Sequence, residues 1–378
     1  MKLIALCLFL IFGLTITASA QSIDGISEET PEEFSKLLDA LPPELSKLLP
    51  NDLFSNQTSD LNSAARKMSD VSFLFNAVLD TLGIHLQDAL RLLATTIGLL
   101  LLSALLSALQ VTVKNESISR VFSLISTLAI LSAVLSGGYS SVVAVTQYIK
   151  RLNAMTAAGI PLLALLYSMG GNVTAAVATT GGLTVYLGVL ETVVGRSIIP
   201  FCGVCLAFGF LNASGLGLSL NGFLGTFKKH YATLLAFLMM LLLAMLASQT
   251  ALGASADSVA MRSAKFATGN LIPVVGGSMA ELLRTVSAGI QYLRTTMGLC
   301  GILLLLLLLL PTLTELFLYR WVWQISASAA ELLNCGSEKK LLDEIASLNG
   351  YLIAAVSICS SVLLLGFILL MRCASAIG

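Results

Sequence analysis

Gly298 to Leu318 reads GLCGILLLLLLLLPTLTELFL, and its one charged side chain is Glu315. A helix rises 1.5 Å per residue, so a run of this length crosses the roughly 30 Å hydrocarbon core of a bilayer. The stretch therefore predicts a membrane span. Arg320, Trp321 and Trp323 follow it directly and mark its interface end, while Pro311 predicts a kink.

The rest of the chain agrees in composition. Of 378 residues, 56% are hydrophobic and only 11% charged, with a mean hydropathy of +0.90. A water-soluble core has no room for this much apolar surface, so the expected fold is an all-α, polytopic helical membrane protein in contact with the lipid bilayer. Formal net charge is zero, but residues 21–60 carry nine acids against Lys36 and Lys47, which leaves the remainder mildly basic. That balance suits membrane contact and gives no case for nucleic acid. Most of the seven cysteines lie in apolar stretches, where a thiol behaves as a small hydrophobe.

Four regions follow in order. Residues 1–20 have the charged start (Lys2), short apolar middle and small-residue cleavage site (Ala18-Ser19-Ala20) of a signal peptide. Residues 21–70 form an acidic extracytoplasmic segment broken by Pro31, Pro42, Pro43 and Pro50. Residues 71–92 space Leu74, Val78, Leu82, Leu86 and Leu90 as an amphipathic interfacial helix. Residues 93–378 form the polytopic membrane domain.

Within that domain six spans are expected, at Leu93–Val113, Val121–Val145, Ile198–Leu218, Tyr231–Leu252, Gly298–Leu318 and Tyr351–Met371. Ser337–Gly350 reads as a separate cytoplasmic helix. Leu341, Leu342, Ile345 and Leu348 form its oily stripe, and Lys340 stands at pairing distance from Glu344. Two further segments read as broken re-entrant or interfacial hairpins. One carries Pro161 and then Gly170-Gly171; the other is LIPVVGG, Leu271 to Gly277, with Pro273, Gly276 and Gly277. Proline removes a backbone donor and glycine relaxes the steric limits, so each segment is expected to interrupt its helix and to mark a pathway or hinge.

Chemistry is sparse. Cys202 and Cys205 have metal-site spacing but no further ligands near them, and His85 and His230 stand alone. No phosphate-binding loop, nucleophile elbow or zincin motif occurs, so no catalytic residue, metal or cofactor is assigned. The functional candidates are ionisable residues in or near the membrane: Glu191, Arg196, Lys265, Glu281 and Arg284, together with Asp257, Arg262 and Glu315.

A leader, an acidic outer segment, about six spans, and Lys265-Phe266 followed by LIPVVGG and the Glu281–Thr285 helix together resemble the stage III sporulation protein AE family of endospore-forming Firmicutes. The resemblance implies a non-enzymatic subunit of the channel or secretion-like complex that joins mother cell and forespore after engulfment, placed in the mother-cell-derived outer forespore membrane. It also implies partners: other membrane subunits, ring-forming proteins and an ATPase. The alternative reading is a stand-alone secondary transporter or permease, with the broken hairpins binding a small solute at the midplane.

Overall fold

The computed structural model describes residues 32–39, 41, 49–54, 58–112, 116–169, 173–214, 222–241, 243–244 and 276–375. The regular elements among them are all helical. They are α1 (Glu32–Asp39), a 3₁₀ turn (Asn51–Phe54), α2 (Thr58–Ser69), α3 (Val71–Thr112), α4 (Glu116–Met169), α5 (Val173–Leu190), a π turn (Glu191–Gly195), α6 (Arg196–Ala213), α7 (222–241), α8 (Gly276–Leu332) and α9 (Gly336–Ser375). Five stretches are long and apolar enough to cross a membrane: Ser72–Ala108, Ile125–Leu166, Thr180–Ala213, Thr295–Leu332 and Gly336–Ser361. The chain is thus an all-α polytopic membrane protein. The remaining expected span, Tyr231–Leu252, lies partly outside the described residues, and the signal peptide lies wholly outside them.

Several expected boundaries are absent. The amphipathic segment 71–92 and the first span form one helix, α3, of 42 residues and about 63 Å. The expected cytoplasmic helix 337–350 and the last span likewise form the single 40-residue α9. Pro161 interrupts nothing, because α4 runs as one 54-residue helix from Glu116 to Met169. The reason is the apolar period on either side. Leu152, Met155, Gly159, Leu162, Leu163 and Leu166 continue one buried face straight through, with Pro161 on the exposed side. A proline inside a helix costs about 3 kcal/mol. The packed face keeps its van der Waals contacts with neighbouring helices only if α4 continues, and those contacts offset the cost. Pro200 and Pro311 sit inside α6 and α8 in the same way.

The antiparallel α8–α9 hairpin is the centre of the fold. Leu303, Leu304, Leu305, Leu307, Leu308 and Leu309 are all buried, packed in one cluster with Phe34 and Leu37 of α1, Leu61, Ala65 and Met68 of α2, and Leu152 and Met155 of α4. The stretch that most resembles a lipid-facing span is therefore protein core. Close approach of the helices depends on small residues. A Cβ on Gly137 would lie 2.6 Å from the Trp323 ring, one on Gly138 2.8 Å from Ile345, and one on Gly301 2.6 Å from Phe367. Trp323 is consequently fully buried under α4, whereas Trp321 is exposed; only Trp321 is positioned as an interface residue.

These contacts also set levels along the bundle. Ser140 meets Glu315, and Gly159 and Gly301 both face Phe367, so Lys150 and Arg151 lie beside the leucine run. Ile149 faces Gly195, which brings Glu191 and Arg196 to the same level.

Candidate functional site: a buried polar track on the central hairpin

Burying a charge or hydroxyl in an apolar bundle is unfavourable unless it finds a partner. Three acids of the α8–α9 hairpin satisfy that demand in three different ways. Glu315 of α8, expected from sequence as an intramembrane polar residue, accepts a hydrogen bond from Ser140 of α4 at 3.1 Å. Glu338, in the first turn of α9, is 5% exposed and accepts hydrogen bonds from Ser103 of α3 at 2.8 Å and from Ser126 of α4. The two serine hydroxyls also contact each other, and Ser103 reaches Cys335 at 3.8 Å. A carboxylate in a first turn also favours the positive end of the helix dipole. This cluster ties α3 and α4 to the turn between α8 and α9.

The third acid, Glu344, is paired with Lys228 of α7 at 2.5 Å, with side chains 13% and 11% exposed. Lys228 donates a second hydrogen bond to Ser347 at 3.2 Å. Gly209 of α6 makes room for the pair, since a Cβ there would come within 2.7 Å of the Glu344 Cγ. The expected Lys340–Glu344 pairing is thus replaced by a tertiary one, and Lys339 pairs with Glu331 at 2.8 Å instead. The oily stripe of Leu341, Leu342, Ile345 and Leu348 is buried in the chain's own bundle, so neither membrane nor partner is needed to cover it.

The other sequence-derived candidates are dispersed. Glu191 opens the π turn and Arg196 opens α6; both are exposed. Pro161 is exposed on α4. Gly276 and Gly277 begin α8 as helical residues, followed in the same helix by Glu281 and Arg284. Gly170, Gly171, Asp257, Arg262, Lys265 and Pro273 lie outside the described residues. Cys202 and Cys205 are buried in α6, packed in the core with Phe201 and Tyr231, and no group of three or more metal-ligating side chains occurs among the described residues.

Sequence reasoning missed Glu338, Lys228, Ser103, Ser126 and Ser140. A serine in an apolar span carries no local mark of its partner, and each of these serines, like Lys228, meets a carboxylate more than a hundred positions away. Chemically the track offers carboxylates, hydroxyls and one ammonium. Its contacts fix helix register.

Comparison with known proteins gives the family. The profile of the stage III sporulation protein AE family matches residues 56–376. The stage III sporulation protein AE of Bacillus subtilis (strain 168) is 24% identical over 279 residues, covering 71% of this chain and 68% of the relative. No solved structure matches. A helical membrane bundle whose sequence follows this family's profile from just before α2 to the end of α9 belongs to the stage III sporulation protein AE family.

Proposed function

We propose that this sporulation protein acts as a non-enzymatic membrane subunit of a channel or secretion-like complex between mother cell and forespore, in the mother-cell-derived outer forespore membrane. The observation that carries the reading is the exposure of Glu191 and Arg196 in the middle of Thr180–Ala213, with exposed Lys150 at the same level on α4. A charge at the centre of a span costs about 2.5–3.5 kcal/mol by insertion scales when lipid is its only neighbour. A partner subunit that presents polar groups to this face removes the cost, so the outer surface is fitted to an assembly. The partners are other membrane subunits, ring-forming proteins and an ATPase. Within the assembly the α8–α9 hairpin is the rigid scaffold, and the segment from Lys265 through Pro273 into Gly276, Gly277, Glu281 and Arg284 serves the pathway.

The channel and stand-alone transporter readings both expected an interruption at Pro161, where α4 runs unbroken, while Gly170 and Gly171 of the same segment lie outside the described residues.

The test replaces Glu191 and Arg196 together by leucine and follows an affinity-tagged chain in sporulating cells. The double variant is expected to insert and accumulate normally while losing co-purified subunits and mature spores. Wild-type co-purification and sporulation in the double variant would overturn the reading.

A further inference from the structure

Helices α7, α8 and α9 leave between them an open groove of about 600 Å³. Its two ends differ in chemistry. One is lined by Arg320 and Gln324 of α8 with Asp343 and Ser347 of α9; the other by Leu235 of α7 with Ala354 and Ile358 of α9. From Asp343 to Ile358 the groove follows α9 for about 22 Å. Gly350 lets the Arg320 guanidinium lie against the α9 backbone, where a Cβ would come within 3.0 Å of Nη1. Arg320 and Asp343 face the same groove, yet they form no ion pair with each other among the described residues.

The groove's surroundings resemble a headgroup boundary. Trp321 is 54% exposed beside Arg320, and tryptophan is favoured at the level of lipid headgroups. On α7, exposed Lys229 and His230 give way to exposed Leu234, Phe237 and Met240, so polar and apolar ends run the same way on both walls. Basic pockets between membrane helices hold anionic headgroups; this groove sets Arg320 and Asp343 together and so carries one charge of each sign.

We propose that this groove seats one zwitterionic phospholipid of the phosphoethanolamine class. The phosphate lies against the Arg320 guanidinium and the Gln324 amide, the ammonium against Asp343, and one acyl chain along Leu235, Ala354 and Ile358. Asp343 supplies the selectivity, because it attracts a headgroup ammonium and repels a purely anionic headgroup. The site does not depend on the channel reading.

The experiment is native mass spectrometry of the full-length, detergent-solubilised protein, titrated with phosphatidylethanolamine or phosphatidylglycerol of identical chains. Wild type is expected to form a saturable one-lipid adduct with preference for phosphatidylethanolamine. Asp343→Asn, at an exposed position, keeps binding and loses the preference; Arg320→Ala weakens both lipids about tenfold or more, the equivalent of one lost interaction of about 1.4 kcal/mol. Ala354→Phe fills the apolar end and removes the adduct while helicity by circular dichroism stays at the wild-type level. Equal affinity for the two lipids in wild type, an unchanged preference in Asp343→Asn, or an unchanged adduct in Ala354→Phe overturns the proposal. So does a photo-crosslinker at Ser347 that captures a polypeptide and no lipid in native membranes.

Discussion

Helices α3 and α8 carry similar apolar content and opposite exposures. The spanning stretch of α3 is 22% buried within the chain, with Ile84, Leu90, Leu101, Leu102 and Leu105 turned outward; that of α8 is 67% buried, with the leucine run wrapped by α1, α2, α4 and α9. Hydropathy measures how strongly a segment avoids water. It does not say whether lipid or protein takes water's place. In α8 the answer is protein, and dense packing there makes every atom count, whereas an outward leucine of α3 has few protein neighbours to lose.

The contrast can be broken experimentally. The largest effect is expected at the buried pair beside the hairpin. Lys228→Met leaves Glu344 charged and unpaired, and should cost about 3–5 kcal/mol of stability; adding Glu344→Met should restore most of it, since an apolar pair of similar volume is tolerated. Unfolding of the purified protein in detergent measures both. A single variant as stable as wild type would mean that the interior site is open to water.

Leu305→Ala should cost about 2–5 kcal/mol through transfer and cavity formation. Leu102→Ala on α3, 52% exposed, should stay within about 0.5 kcal/mol. Equal losses in the same unfolding assay would erase the distinction between the two helices.

Glycines sharpen the contrast further. Gly137→Ala pushes a methyl into the Trp323 ring and should destabilise by about 1–3 kcal/mol, read as a lower midpoint of thermal aggregation. Gly98 on α3 has nothing within 4 Å of the position a Cβ would take, so Gly98→Ala should be neutral or stabilise by up to about 1 kcal/mol through helix propensity.

The smallest effect lies at Asp52, outside the stretches long and apolar enough to span. Asp52 is held below its ordinary value of 3.8, first by the hydrogen bond from Lys67 and then by that from Ser63. A depressed carboxylate contributes stability above its unfolded pKa and loses it as pH falls through the lower folded value. Lys67→Ala should therefore lower the melting temperature only slightly at pH 7, by an amount that disappears at acid pH, and return the Asp52 titration, followed by NMR, towards 3.8.

The sequence by itself determined the helical membrane class. In lipid a helix pairs its backbone groups within one segment, and a run such as Leu303–Leu310 announces that segment in one dimension. It also carried the family resemblance, and it named Glu315 among the ionisable residues in or near the membrane. Only the tertiary structure decided that Pro161 lies inside an unbroken helix, that the leucine run is core, and that Glu344 takes Lys228 in place of Lys340. The physical reason is common to all three. The cost of a missing backbone bond, an apolar surface or a buried charge is set locally, but the groups that offset it come from distant parts of the chain and meet it only when the bundle closes.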